Sequence, residues 1–174
     1  MRTVAVILLI TLALSILHSA GLSVFPWPLN LICLPLIIIS SLALGLHFST
    51  AVAAAVVYGV ITDALSPTIF GLYTSAAVLT VIIVAILLHR ILTHHTIGAV
   101  AGVNAAIFLL IHLLVYLFSS ILKMLSGADF FHPATGYAFL LVLATVPVQV
   151  ALALLLRFAS GGVRSYMSRF ILLK

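Results

Sequence analysis

The chain is organised as long apolar runs broken by short polar stretches. The runs occupy residues 3–20, 30–45, 49–64, 71–88, 97–122 and 134–157. A bilayer core of about 30 Å takes about 20 helical residues, so each run is read as a membrane span. The pattern predicts an all-α, polytopic membrane protein of about six transmembrane helices in a single domain, residues 1–157. The breaks support the same division. "GLSVFPWPLN" interrupts the first helix with Gly21, Pro26 and Pro28, and its Trp27 is the kind of amphipathic ring that settles at headgroup level. "LSGADFFHP", between the fifth and sixth runs, is rich in turn formers. "HSA", at the end of the first run, faintly resembles a signal-peptidase site, but the further spans suit a retained first helix.

Composition agrees. Hydrophobic residues make up 66% of the 174 and charged residues 5%, with a mean hydropathy of +1.48, far from the balance of a soluble domain. The length leaves no room for a soluble catalytic domain beside the spans. The formal charge of +5 does not point to nucleic acid, because the basic residues are scattered and form no run with interleaved aromatics. They report topology instead. With both termini cytoplasmic, the inner side holds Arg2, Arg90, Arg157, Arg164, Arg169 and Lys174, and the outer side only Lys123, as the excess of inner lysine and arginine requires. Asp63 and Asp129, the only acidic residues, then fall toward the outer face. Residues 158–174 form a short basic cytoplasmic tail broken at Gly161-Gly162, set either against anionic membrane lipid or in solvent as a topology signal. The single cysteine, Cys33, excludes an intrachain disulfide.

Few residues could carry chemistry. Ala51, Ala55, Gly59 and Asp63 stand four apart and make one stripe of small side chains ending in a carboxylate. Gly98, Gly102 and Ala106 repeat the spacing in the fifth run, and such stripes signal helix packing in membranes. Asp63 differs in kind. An ionisable group within a span is costly and marks a site with a partner to be named, unless it lies at the span end and caps the turn at Ser66-Pro67. Its expected donors are Ser66 and the backbone amides near Phe70 and Gly71, with His112 as a second partner and the hydroxyls of Thr62, Tyr73 and Thr74 also in reach. His47, His89, His94 and His95 belong to inner connections, and His18 and His132 to outer ones, so no metal-ligand set forms and no cofactor is implied. Asn104 and Gln149 lie at similar depth in the fifth and sixth runs, and hydrogen bonding to each other is the economical expectation for buried amides. The single intramembrane carboxylate argues against an aspartyl intramembrane protease, which needs two that meet in one site. A lipoprotein signal peptidase is disfavoured by the lack of its asparagine-glycine-alanine and aspartate-arginine motifs. No enzymatic activity is expected.

The stretch from Tyr58 to Thr74, with Gly59, three residues, Asp63, a short turn containing Ser66, and then Phe70-Gly71 opening the next helix, resembles the rod shape-determining MreD family. The prolines of "FPWPLNLICLPLII" suit that family too, so the resemblance covers residues 26–95. It implies a non-enzymatic scaffold subunit of the bacterial cell-wall elongation complex in the cytoplasmic membrane. The implied partners are an MreC-like membrane protein, an MreB-like filament, and the glycosyltransferase and transpeptidase of lateral peptidoglycan synthesis. Gly59, Asp63, Ser66, Phe70 and Gly71 would form the motif that shapes a partner groove. A Gly-x-x-x-Asp leading into a short turn also resembles the substrate-binding S subunits of energy-coupling factor vitamin transporters, whose fold is similar. That alternative implies a vitamin pocket open to the outside.

Overall fold

The computed structural model describes residues 2–21, 32–44, 47–66, 69–91, 97–126 and 136–171. Among them every regular element is helical and no strand occurs. The helices are α1 (Arg2–Ile16), which continues as a π-helical turn over Leu17–Gly21, α2 (Leu34–Leu44), α3 (Phe48–Leu65), α4 (Leu72–Ile91), α5 (Ile97–Ser126) and α6 (Gly136–Ile171). Three segments are long and apolar enough to cross a membrane: Phe48–Leu65, Ile97–Leu125 and Leu140–Ala159. Val4–Ala20, Leu34–Leu44 and Leu72–Leu87 are apolar but shorter. Large apolar side chains such as Leu9, Leu140 and Leu155 are exposed on the outside of the bundle, as a lipid-facing surface requires and a water-facing one does not.

The core is built around the shortest helix. α2 packs against α1, α3, α4 and α5, and Leu36, Ile39, Ala43 and Leu44 are buried on it. Ala51, Ala54 and Ala55 of α3, Ala76, Ala77 and Val81 of α4, and Val103, Ile107, Phe108 and Ile111 of α5 close over them. The most extensive helix interface joins α3 to α4, and both helices carry buried alanines. Small side chains let helix backbones approach closely, which is how helices associate when lipid removes the hydrophobic drive between them.

Two boundaries differ from the sequence reading. α2 covers only Leu34–Leu44, about 16 Å at 1.5 Å per residue. Cys33, just ahead of it, is non-helical yet 2% exposed, so this helix begins inside the protein. α6 does not stop at residue 157 and runs unbroken through Gly161-Gly162 to Ile171. Two glycines lower helix propensity by about 1 kcal/mol each relative to alanine, and the helix continues through both. Pro26, Trp27, Pro28, Pro67, His94, His95, Asp129 and His132 lie outside the described residues.

Candidate functional site at the junction of α3 and α4

The sequence stripe on α3 is a packing face. Ala51 and Ala55 are fully buried, and Gly59 and Asp63 are buried beyond them. Gly59 marks the closest approach of the two helices. A Cβ built on it would sit 2.3 Å from the Cα and 2.8 Å from the backbone nitrogen of Thr74, so only a residue without a side chain lets α4 lie there. One turn on, Asp63 reaches the same first turn of α4. Its Oδ1 accepts the Tyr73 N–H at 2.8 Å, and its Oδ2 accepts the Thr74 N–H at 3.0 Å and the Thr74 hydroxyl at 2.6 Å.

The local sequence explains why a distant carboxylate is needed. Gly71 has φ +96°, a backbone conformation that side-chain-bearing residues rarely adopt, and α4 starts immediately after it. The first N–H groups of a helix have no intrahelical acceptor, and a serine or aspartate at the preceding position normally bonds the second or third of them. Gly71 has no side chain to do so. Asp63 supplies that oxygen from α3, bonding the second and third amides of α4 together, and its charge sits at the positive end of the α4 dipole. Three donors and a favourable dipole compensate the desolvation of a carboxylate that is 3% exposed.

The amide donors to Asp63 are therefore Tyr73 and Thr74, inside the first turn of α4, and not Phe70 and Gly71 in the turn before it, where they are expected from the sequence. The shift follows from Gly71, since the helix can begin only after its left-handed residue. Thr74 contributes both amide and hydroxyl. Ser66 is the half-buried C-cap of α3 in extended conformation. Phe70 is 69% exposed on the turn. His112 does not reach this site as an Asp63 partner would. Its Nδ1 lies 2.8 Å from the Phe108 carbonyl one turn back, and its ring packs on Phe108 with centroids 4.6 Å apart.

Asn104 and Gln149 are buried but do not bond each other. Both serve α2. The Asn104 amide donates to Ser40 Oγ at 2.9 Å. The Gln149 Oε1 accepts the Cys33 N–H at 3.0 Å, and its Nε2 donates to the Cys33 carbonyl at 2.9 Å. A helix starting within an apolar interior leaves backbone groups to satisfy, and an amide side chain presents the matching donor and acceptor. The apolar run, which begins at residue 30, gives no sign of that need. The second stripe also needs correcting. Gly98, Gly102 and Ala106 are exposed, and nothing lies within 4 Å of a Cβ built on Gly102. The face of α5 that packs within the chain is one residue on, at Ala99, Val103 and Ile107, about 100° around the helix.

The junction can position helices; it does not present a reactive group. The carboxylate oxygens are turned to α4, and among the described residues no group of three histidine, cysteine or acidic side chains could hold a metal ion. No family model, curated protein or solved structure matches the chain.

Proposed function

We propose that this protein is a six-span scaffold of the bacterial cytoplasmic membrane with both termini inside, acting in rod shape determination and cell-wall elongation in the manner of the MreD family. The observation that carries the reading is the way Asp63 is used. A buried carboxylate that accepts three hydrogen bonds from one helix start builds an interhelical corner, and a corner that holds its shape is what a subunit working by packing needs. The turn it fixes carries Phe70 outward, on the side where the elongation partners would dock: an MreC-like protein, and through it an MreB-like filament, a glycosyltransferase and a transpeptidase.

The transporter alternative asks for a pocket with several polar groups set among apolar walls. The cleft beside the α3–α4 turn, about 400 Å³, is lined by Phe70, Leu72, Phe118 and Leu122, with Ser75 the only polar side chain on it among the described residues. That lining suits a hydrocarbon surface better than a vitamin.

Depletion of the protein from its native host is the test. Rounded or widened cells that grow without supplements, together with co-purification of an MreC-like protein, are expected. Rescue of growth by an added vitamin would replace the scaffold with the transporter.

A further inference from the structure

α6 turns a narrow seam to the rest of the protein. Thr145, Gln149 and Ala153, four residues apart, are its buried side chains among the described residues, and α5 is its main packing partner. Past Leu154 the seam ends. Leu155, Leu156, Arg157, Phe158 and Ala159 are exposed in succession, which at 3.6 residues per turn means every face of the helix. Two features of opposite effect lie within the seam. Pro147 stands inside α6, has no N–H to give the Leu143 carbonyl one turn back, and crowds that carbonyl with its ring, so α6 has its weakest point there. Leu143 and Pro147 are both exposed, which puts the missing bond on the face turned away from the bundle. The nearby Thr145 hydroxyl donates to the Val142 carbonyl at 2.7 Å and does not replace it. Two residues after the break, Gln149 ties α6 back to the Cys33 peptide group with one bond accepted and one donated.

We propose that residues 148–171 of α6 are a hinged arm that swings about Pro147, with the Gln149–Cys33 pair as the latch that holds it closed. The structure is the closed state. Opening breaks the two bonds of the latch, but the Cys33 carbonyl keeps the Leu36 N–H at 3.2 Å, so a single N–H is left for water to take. Two arrangements separated by so few interactions exchange as a two-state element, with a ligand or partner able to shift the balance. A pull on the exposed end of α6 is passed through one peptide group to the start of α2, the helix around which the core is built. Neither the hinge nor the latch depends on the scaffold reading.

The test is pulsed dipolar spectroscopy of the purified full chain in detergent, with spin labels at Phe48→Cys and Phe158→Cys in a Cys33→Ala background, which keeps the latching peptide group. Phe48, at the start of α3, and Phe158, on the arm, are both exposed. A second, different distance should accompany that of the closed state, and Gln149→Leu should raise its share relative to the closed one roughly tenfold. Adding Pro147→Ala, which restores the missing N–H, should lower that share at least about threefold. Thr74→Val, which loosens the α3–α4 corner instead, should leave it unchanged. In the unlabelled chain, hydrogen exchange at the Cys33 amide reads openings too rare for spin labels, and Pro147→Ala alone should slow it about threefold, a comparison that stands even if Gln149→Leu fails to fold. A single distance in every variant, a share or an exchange rate that Pro147→Ala does not lower, or an equal rise in Thr74→Val, which would mark general loosening, would each overturn the hinge.

Discussion

At Asp63 a charge that looks misplaced in the sequence becomes the acceptor that a helix start lacks. Hydrogen bonds to charged groups contribute about 1.5–3 kcal/mol each, and Asp63 accepts three, two from backbone amides that have no other intrahelical acceptor. Asp63→Leu leaves those amides unpaired in a buried site, and a loss of about 3–5 kcal/mol is expected. Asp63→Asn keeps one acceptor but turns an NH2 toward one of the two amides, so about 1–3 kcal/mol should be lost. Thr74→Val removes only the hydroxyl, and about 1–2 kcal/mol is expected. Reversible unfolding in mixed detergent micelles ranks the three variants. If Asp63→Asn is as damaging as Asp63→Leu, charge rather than hydrogen bonding holds the corner. Co-purification of an MreC-like partner should fall in the same order.

At the scale of elements, two glycines near the same turn serve different needs, and substitution separates them. Gly59→Ala drives a methyl into the backbone of Thr74, which α4 cannot avoid without moving, so about 1–3 kcal/mol should be lost and Gly59→Ser should do no better. Gly71→Ala meets nothing within 4 Å and suffers only from its positive φ, about 1–2 kcal/mol, part of which Gly71→Asn should recover because asparagine tolerates left-handed backbone. Gly102→Ala has open space around it and should leave stability unchanged or raise it by up to about 1 kcal/mol. The same thermal or denaturant scan measures all of these. Spacing alone could not separate these cases. Gly-x-x-x-Asp announced a close junction because both residues must share a face. The stripe at Gly98, Gly102 and Ala106 has equal regularity, yet it is exposed, so the spacing of small residues alone does not say which face of α5 turns inward. Helix positions were legible because hydropathy sets them. The partners of Asn104 and Gln149 were not, because they depend on α2 starting three or four residues later than its apolar run.

At the scale of the whole chain, the distribution of lysine and arginine leads to a topology that reporter fusions check directly. Fusions after Arg90 and Lys174 should read cytoplasmic and one after Asp129 external, and an external reading at Arg90 would mean that the number of spans is wrong. The clamp between α6 and the start of α2 adds a constraint on stability. Gln149→Leu strands the buried Cys33 N–H, while the Cys33 carbonyl keeps the Leu36 N–H at 3.2 Å, and about 1–3 kcal/mol should be lost on unfolding in micelles. The same pairing has a consequence in time. Gln149 lies 116 residues after Cys33, so at roughly 5–20 residues per second its codon is read some 6 to 23 seconds later. Through that interval the nascent chain holds an eleven-residue helix whose leading peptide groups have not met their final acceptor and donor. The start of α2 therefore cannot settle until Gln149 has been made, and it has to wait where water or the insertion machinery can stand in for that side chain.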